Sequence, residues 1–142
     1  MGIIAATLGN DPEAVKYLKQ AFKLDTDNLD TLLALGYAQA RLGQSDWAVS
    51  YLGRAVALNP ENAYASRTYG AALFNMGWTE AAATRLLEAH RLKPDDPEAP
   101  FNLAVLYATA KQPDYQEASK WYKIAIKNGA QHDPGLDRVL GE

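Results

Sequence analysis

Residues 35–60 read LGYAQARLGQSDWAVSYLGRAVALNP, and residues 69–94 read YGAALFNMGWTEAAATRLLEAHRLKP. Laid over one another, they match at Gly36 and Gly70, Gly43 and Gly77, Ala48 and Ala82, and Leu52 and Leu86. The match continues through Ala55 and Ala89, Leu58 and Leu92, and Pro60 and Pro94, always 34 residues apart. The same step backwards lands on Gly2, Gly9, Ala14, Leu18, Ala21 and Leu24. A fixed period with small and apolar residues at matched places marks a stack of identical supersecondary units. Such a stack buries a continuous core between neighbours and presents an extended face for binding.

Within one period the pattern predicts helix, tight turn, helix, tight turn. Residues 29–42 are helical in composition and end at Gly43, a residue that leaves a helix easily. Ser45 is expected to cap the next helix, which runs to about Leu58. Asn59-Pro60 then breaks it, because the residue before proline avoids the helical region. Asn62 is expected to cap a helix over about 63–76, Gly77 to end it, Thr79 to cap the next, and Pro94 to close that unit. Asp96-Pro97 opens a fourth unit with proline in the first helical position. Asp114-Tyr115-Gln116-Glu117 reads as a capping box, and Asn128-Gly129 as a stop. Asp133-Pro134 starts a short last helix. No run alternates with the period of a strand, so the fold class is all-α.

The chain has 142 residues, 48% hydrophobic and 22% charged, enough to bury a core. Its net charge of −3 argues against nucleic acid, which is normally held by a basic face. Without cysteine there is no disulfide or thiol chemistry. No apolar run approaches the ~20 residues of a membrane helix, so direct membrane insertion is not expected. Residues 1–8 are apolar but lack a basic leader, which makes them a poor signal peptide and leaves localisation open. His90 and His132 have no metal-ligand spacing, and the glycines punctuate repeats instead of forming a phosphate loop. No catalytic residue, metal or cofactor is expected, and the chain does not read as an enzyme.

The recurring residues have a packing reason. Two antiparallel helices approach closely only where side chains are small. Gly36, Gly70 and Ala104 fall mid-way along the first helix of their pairs, and Ala48, Ala82 and Ala118 early in the second. These are the expected crossing points. Leu52, Leu86 and Tyr122 are the matching large residues, expected to fill the space between neighbouring pairs.

The pattern resembles the tetratricopeptide repeat, through Leu35-Gly36, Ala48, Leu52, Ala55 and Pro60 and their counterparts Gly70, Ala82, Leu86, Ala89 and Pro94. Leu103-Ala104, Tyr107, Ala118, Tyr122 and Ala125 carry it into the last unit. Gln39 and Leu73 depart from the usual tyrosine, and two extra residues sit around Lys111-Gln112-Pro113-Asp114. The resemblance implies a right-handed α-solenoid of antiparallel helix pairs. About three and a half units are expected: a partial one over 1–28, then 29–62, 63–96 and 97–131, with a capping helix over 133–141, all in one domain. The first unit lacks most of its first helix, which points to a piece of a longer repeat protein.

In such a stack the first (A) helices line the concave face and the second (B) helices the convex back, again by resemblance. Helical spacing then picks the inward stripe. The candidate peptide-binding residues are Leu33, Tyr37, Arg41, Tyr64, Arg67, Phe74, Asn75, Phe101, Asn102 and Val105. The A helices carry no charge over 31–40, 68–79 and 99–110. A helix apolar all round is normally buried on all sides, so the part not covered by neighbours would form an apolar groove. Arg67 is placed to pair with an acidic group of a ligand. Some family members grip a C-terminal carboxylate with Lys, Asn and Arg. Here Leu33, Tyr37, Thr68, Glu98 and Asn102 hold those places, so a carboxylate clamp is not expected.

The function that follows is a protein or peptide interaction scaffold, part of a larger assembly protein. The alternative is self-association into a homo-oligomer through the groove or an uncapped N-terminal edge, where Val15, Leu18 and Phe22 are expected to be poorly covered. Trp47 and Trp78, near the starts of B helices, are a lesser candidate for an edge contact. Lys120, Lys123 and Lys127 read as a solvated face.

Overall fold

In a computed structural model, residues 11–142 are described, and among them the chain forms eight α-helices. They are α1 (Asp11–Leu24), α2 (Leu29–Arg41), α3 (Ser45–Leu58), α4 (Ala63–Asn75), α5 (Thr79–Leu92), α6 (Glu98–Thr109), α7 (Tyr115–Lys127) and α8 (Pro134–Leu140). The truncated first helix expected at the start of the 1–28 unit, and the matches at Gly2 and Gly9, lie outside the described residues.

Helices α2 and α3, α4 and α5, and α6 and α7 pack as antiparallel pairs, and each pair docks on the next through α3 with α4 and α5 with α6. The backbones of successive A helices also approach one another, α2 with α4 and α4 with α6, whereas among the described residues successive B helices stand further apart and meet only through long side chains, Phe22 with Tyr51 and His90 with Trp121. The side on which neighbours stand closer is the inside of the curve. The A helices therefore line the concave face.

Three helices end through the same device. Gly43, Gly77 and Gly129 sit at φ of +72°, +80° and +103°, a region only glycine enters freely. Around Gly43, the Gln44 N–H reaches Gln39 O and the Gly43 N–H reaches Ala40 O. The same two bonds recur from Trp78 and Gly77 to Leu73 and Phe74, and from Ala130 and Gly129 to Ala125 and Ile126. This double bond pattern satisfies the carbonyls that a helix end orphans, and it ends α2, α4 and α7 alike.

The helix starts differ more than the sequence led us to expect. Asn28 and Asn62 cap α2 and α4, accepting the N–H groups of Thr31 and Ala65 at 2.9 Å. Ser45 and Thr79 do not cap: each is the first helical residue, and Gln44 and Trp78 before them make no side-chain bond. The glycine turn spends its two residues one position earlier than a serine cap would need. Pro97 precedes α6 instead of opening it, and the Asp96 carboxylate accepts the Ala99 N–H at 3.3 Å. The capping box at α7 is half formed. Asp114 accepts from Gln116 and Glu117, but Glu117 does not return the bond, because its carboxylate takes Lys120 and the Trp121 indole N–H.

The crossing points are where spacing put them. Gly36, Gly70, Ala48, Ala82, Ala104 and Ala118 are all buried, and the side chains of Leu52 and Leu86 fill the space over Gly36 and Gly70. One cluster joins Leu73, Ala82, Leu86, Leu103, Ala104, Trp121, Tyr122 and Leu136, so α8 seals the core of the last pair. A second joins Ala14, Val15, Leu18, Leu32, Leu35 and Tyr51. Val15 and Leu18 are only 8% and 2% exposed, which corrects the expectation of a poorly covered edge at those two residues. Phe22 is half-buried, edge-on to Tyr51.

Candidate functional site

Every candidate binding residue lies on α2, α4 or α6, but they do not present themselves equally. Tyr37 and Tyr64 are 40% and 42% exposed and belong to one cluster with Arg67, Thr68 and Glu98. Burial raises the Tyr64 hydroxyl pKa above its ordinary value; Tyr37 and Glu98 add to the rise, while Thr68 and Arg67 oppose it. Leu33, Phe74, Phe101 and Val105 are half-buried and lean on the core, Phe101 with its ring 6.3 Å from that of Tyr122. Asn75 is exposed and Asn102 half-buried. The apolar floor expected from spacing is thus mostly occupied in packing. Tyr37 and Tyr64 remain the most exposed of its large side chains.

The arginines are not free. Arg67 Nη1 lies 3.2 Å from Asp96 and 2.7 Å from Glu98, with the guanidinium 5.3 Å over the Tyr64 ring. Its side chain is 16% exposed. The reading of Arg67 as an anchor for an acidic ligand is therefore corrected: two carboxylates of its own chain already bracket it. Arg41 likewise pairs with Asp11 at 3.0 Å and lies over Tyr37 at 5.7 Å. These pairs tie neighbouring units together and leave the groove without an uncommitted cation at either place.

At the C-terminal end of the groove a cleft of about 500 Å³ opens between α6 and the segment leading to α8. Pro97, Glu98, Phe101 and Asn102 form one wall, and Ala130, Gln131, His132 and Asp133 the other. The second wall is held by polar bonds. Asn128 Nδ2 donates to the carbonyls of Pro94 and Asp96 at 2.8 and 3.3 Å. Tyr122 donates to Asp137 at 2.6 Å and accepts the Asp133 N–H at 2.7 Å, and His132 Nδ1 lies 3.1 Å from the same Asp137 oxygen. Sequence reasoning missed Gln131, His132 and Asp133 as wall residues. They lie at and beyond the end of the last unit, so no periodic signal points to them.

The lesser candidates resolve simply. Trp47 and Trp78 are about half exposed, and Trp47 stacks on Tyr51 with Lys19 5.5 Å above its ring. Lys120 and Lys123 pair with Glu117 and Glu142 on the surface. Among the described residues no group of three or more His, Asp and Glu converges on a metal-sized space, and no helix is long and apolar enough to cross a membrane.

Two family models, both described as tetratricopeptide repeat, match residues 29–62 and 72–133. No curated protein sequence matches the chain. Among solved structures, a crystal structure of MamA is 27% identical over 98% of this chain and 78% of its own, with a TM-score of 0.82. YrrB, described as a TPR protein with an unusual peptide-binding site, is 26% identical over 92% of this chain and 66% of its own, with a TM-score of 0.81. TTC0263, a thermophilic TPR protein in Thermus thermophilus, has a TM-score of 0.80 at 20% identity, covering 98% of this chain and 75% of its own, a likeness of fold alone. The matched models, the paired helices and the glycine crossing points agree: the chain belongs to the tetratricopeptide repeat family.

Proposed function

We propose that the concave face binds a segment of a partner protein, with Tyr37 and Tyr64 as its central anchors. In this reading the repeat units run 29–62, 63–96 and 97–131, and the chain is a scaffold that performs no chemistry of its own. The observation that carries it is the exposure of two tyrosines side by side on a face whose other large side chains are packed. Tyrosine is favoured at binding hot spots because it offers wide contact area and a polar tip at low entropic cost. YrrB, similar in fold, is described by its peptide-binding site, and repeats of this family generally serve protein–protein interaction. The ligand segment is apolar or aromatic where it meets the tyrosines. A C-terminal carboxylate clamp is disfavoured by Glu98 and by the internal pairing of Arg67.

The test uses peptides selected from a random library on the whole chain. Tyr64→Ala is expected to weaken the selected peptides about tenfold or more, as loss of a hot-spot tyrosine does. Trp78→Ala, on the opposite edge, should leave them unchanged. Peptides indifferent to both Tyr37→Ala and Tyr64→Ala would place binding elsewhere.

A further inference from the structure

We propose that the cleft at the C-terminal end of the groove seats a lysine or arginine side chain of the bound segment. This rests on the groove reading above and adds the chemistry of one anchor.

Three features point to a cation. Apart from His132, whose Nδ1 faces Asp137, the ionisable side chains of the cleft walls are the carboxylates of Glu98 and Asp133, which can only accept, and the amides of Asn102 and Gln131 can turn their oxygens inward. Phe101, half-buried, lines the same wall, and an aromatic side chain attracts a guanidinium or ammonium. The surroundings carry a surplus of negative charge. Asp96 and Glu98 flank the one guanidinium of Arg67, and Asp133 lies across the cleft with no Lys or Arg bonded to it. A groove end of one sign raises the local concentration of the opposite charge and steers its approach.

The carboxylates differ in availability. Asp133 is committed to the Leu136 N–H as the cap of α8. Glu98 is held by Arg67 on one side only and keeps a side chain 65% exposed. Glu98 is therefore the group that meets the incoming cation, with Asp133 supplying field and Phe101 an aromatic wall. An acidic or carboxyl-terminal anchor is repelled at the same place.

The experiment follows amide resonances of the nitrogen-15-labelled chain during titration with N-acetyl-arginine methylamide and, separately, its neutral isostere N-acetyl-citrulline methylamide. The arginine compound should shift Glu98, Phe101, Asn102 and residues 130–133 in a saturating, salt-sensitive way. The citrulline compound should bind roughly fivefold or more weakly, since it lacks the charge. Glu98→Gln, a surface change at the start of α6, should lower the arginine affinity several-fold with the rest of the spectrum preserved. Equal responses to both compounds, or no shift with arginine in millimolar excess, overturn the proposal. Library-selected peptides form a second arm. A basic residue at one position, whose contribution disappears in Glu98→Gln, supports the pocket. Peptides that need Tyr64 but carry no basic residue and ignore Glu98→Gln overturn the pocket and leave the groove standing. Arginine binding in the cleft without any Tyr64-dependent peptide does the reverse.

Discussion

Gly70 and Leu86 meet across the two helices of one pair so closely that a Cβ on Gly70 would stand 2.8 Å from Leu86 Cγ and 3.2 Å from the Ala82 carbonyl. Leu86 is 1% exposed and has no room to retreat. Gly36 and Leu52 stand in the same relation one unit earlier. The glycine is thus kept for close approach, despite its cost inside a helix.

Alanine at Gly36 or Gly70 sets two effects against each other. Helix propensity favours alanine over glycine by about 0.8–1.0 kcal/mol. Overpacking a filled core costs about 1–3 kcal/mol. Overpacking should win, most clearly at Gly36, where the added carbon falls on the leucine itself. Urea unfolding of Gly36→Ala should show net destabilisation, and Gly36→Ala with Leu52→Ala should lose less than the sum of the two single changes.

Arg67→Ala leaves Asp96 and Glu98 without the cation that both approach. At a side chain 16% exposed, the loss of charged hydrogen bonds should cost about 1–3 kcal/mol. Part of the penalty should fade in high salt, which screens the two remaining carboxylates. Glu98→Gln, at an exposed position, should cost under about 1 kcal/mol. Equal costs for the two changes in urea titrations would contradict this division.

Gln44 and Trp78 stand where Asp114 stands in the last unit, just before a B helix, yet only Asp114 caps. Gln44→Asp should therefore gain a bond to the N–H groups ahead of it. A good cap contributes about 0.5–2 kcal/mol relative to a residue that does not cap. Thermal unfolding of Gln44→Asp should move upward, with the far-ultraviolet spectrum unchanged.

The docking of α8 should depend on pH at both extremes. The hydrogen bond from Tyr122, and after it the one from His132, hold the Asp137 carboxyl below its ordinary value of 3.8. A depressed carboxyl stabilises the fold above its unfolded value, and that contribution is lost as pH falls through the folded value. Burial first, then the bond to Asp137, raises the Tyr122 hydroxyl above its ordinary 10.0. A raised phenol stabilises below its unfolded value, and the contribution is lost as pH rises through the folded one. Hydrogen exchange at Leu136 and Asp137 should therefore accelerate in acid below about pH 4 and again in strong alkali. Tyr122→Phe should remove the alkaline dependence and weaken the acid one, which the bond from His132 still supports.

Much of this molecule is legible in one period of its sequence. The glycine ends at Gly43, Gly77 and Gly129, the crossing points at Gly36 and Gly70, and the caps at Asn62, Asp114 and Asp133 follow from local chemistry. Positive φ, lack of a Cβ and a short side-chain acceptor are properties of single residues. The errors at Ser45 and Thr79 came from a boundary displaced by one residue, because the glycine turn itself consumes the linking positions.

The groove was legible only as a stripe. Spacing placed Leu33, Tyr37, Tyr64, Arg67, Phe101 and Val105 on one face of successive helices, since that is a matter of helical angle. It did not say which would be swallowed by packing, which depends on how close the neighbouring helix stands. Nor did it foretell that Arg67 would be met by Asp96 at the end of its own unit and by Glu98 at the start of the next, or that residues 130–133 would wall the cleft. Periodicity is a local property and determined the scaffold. Exposure and charge pairing arise only when units 34 residues apart are brought into contact, so tertiary structure alone decided which residues a partner can reach.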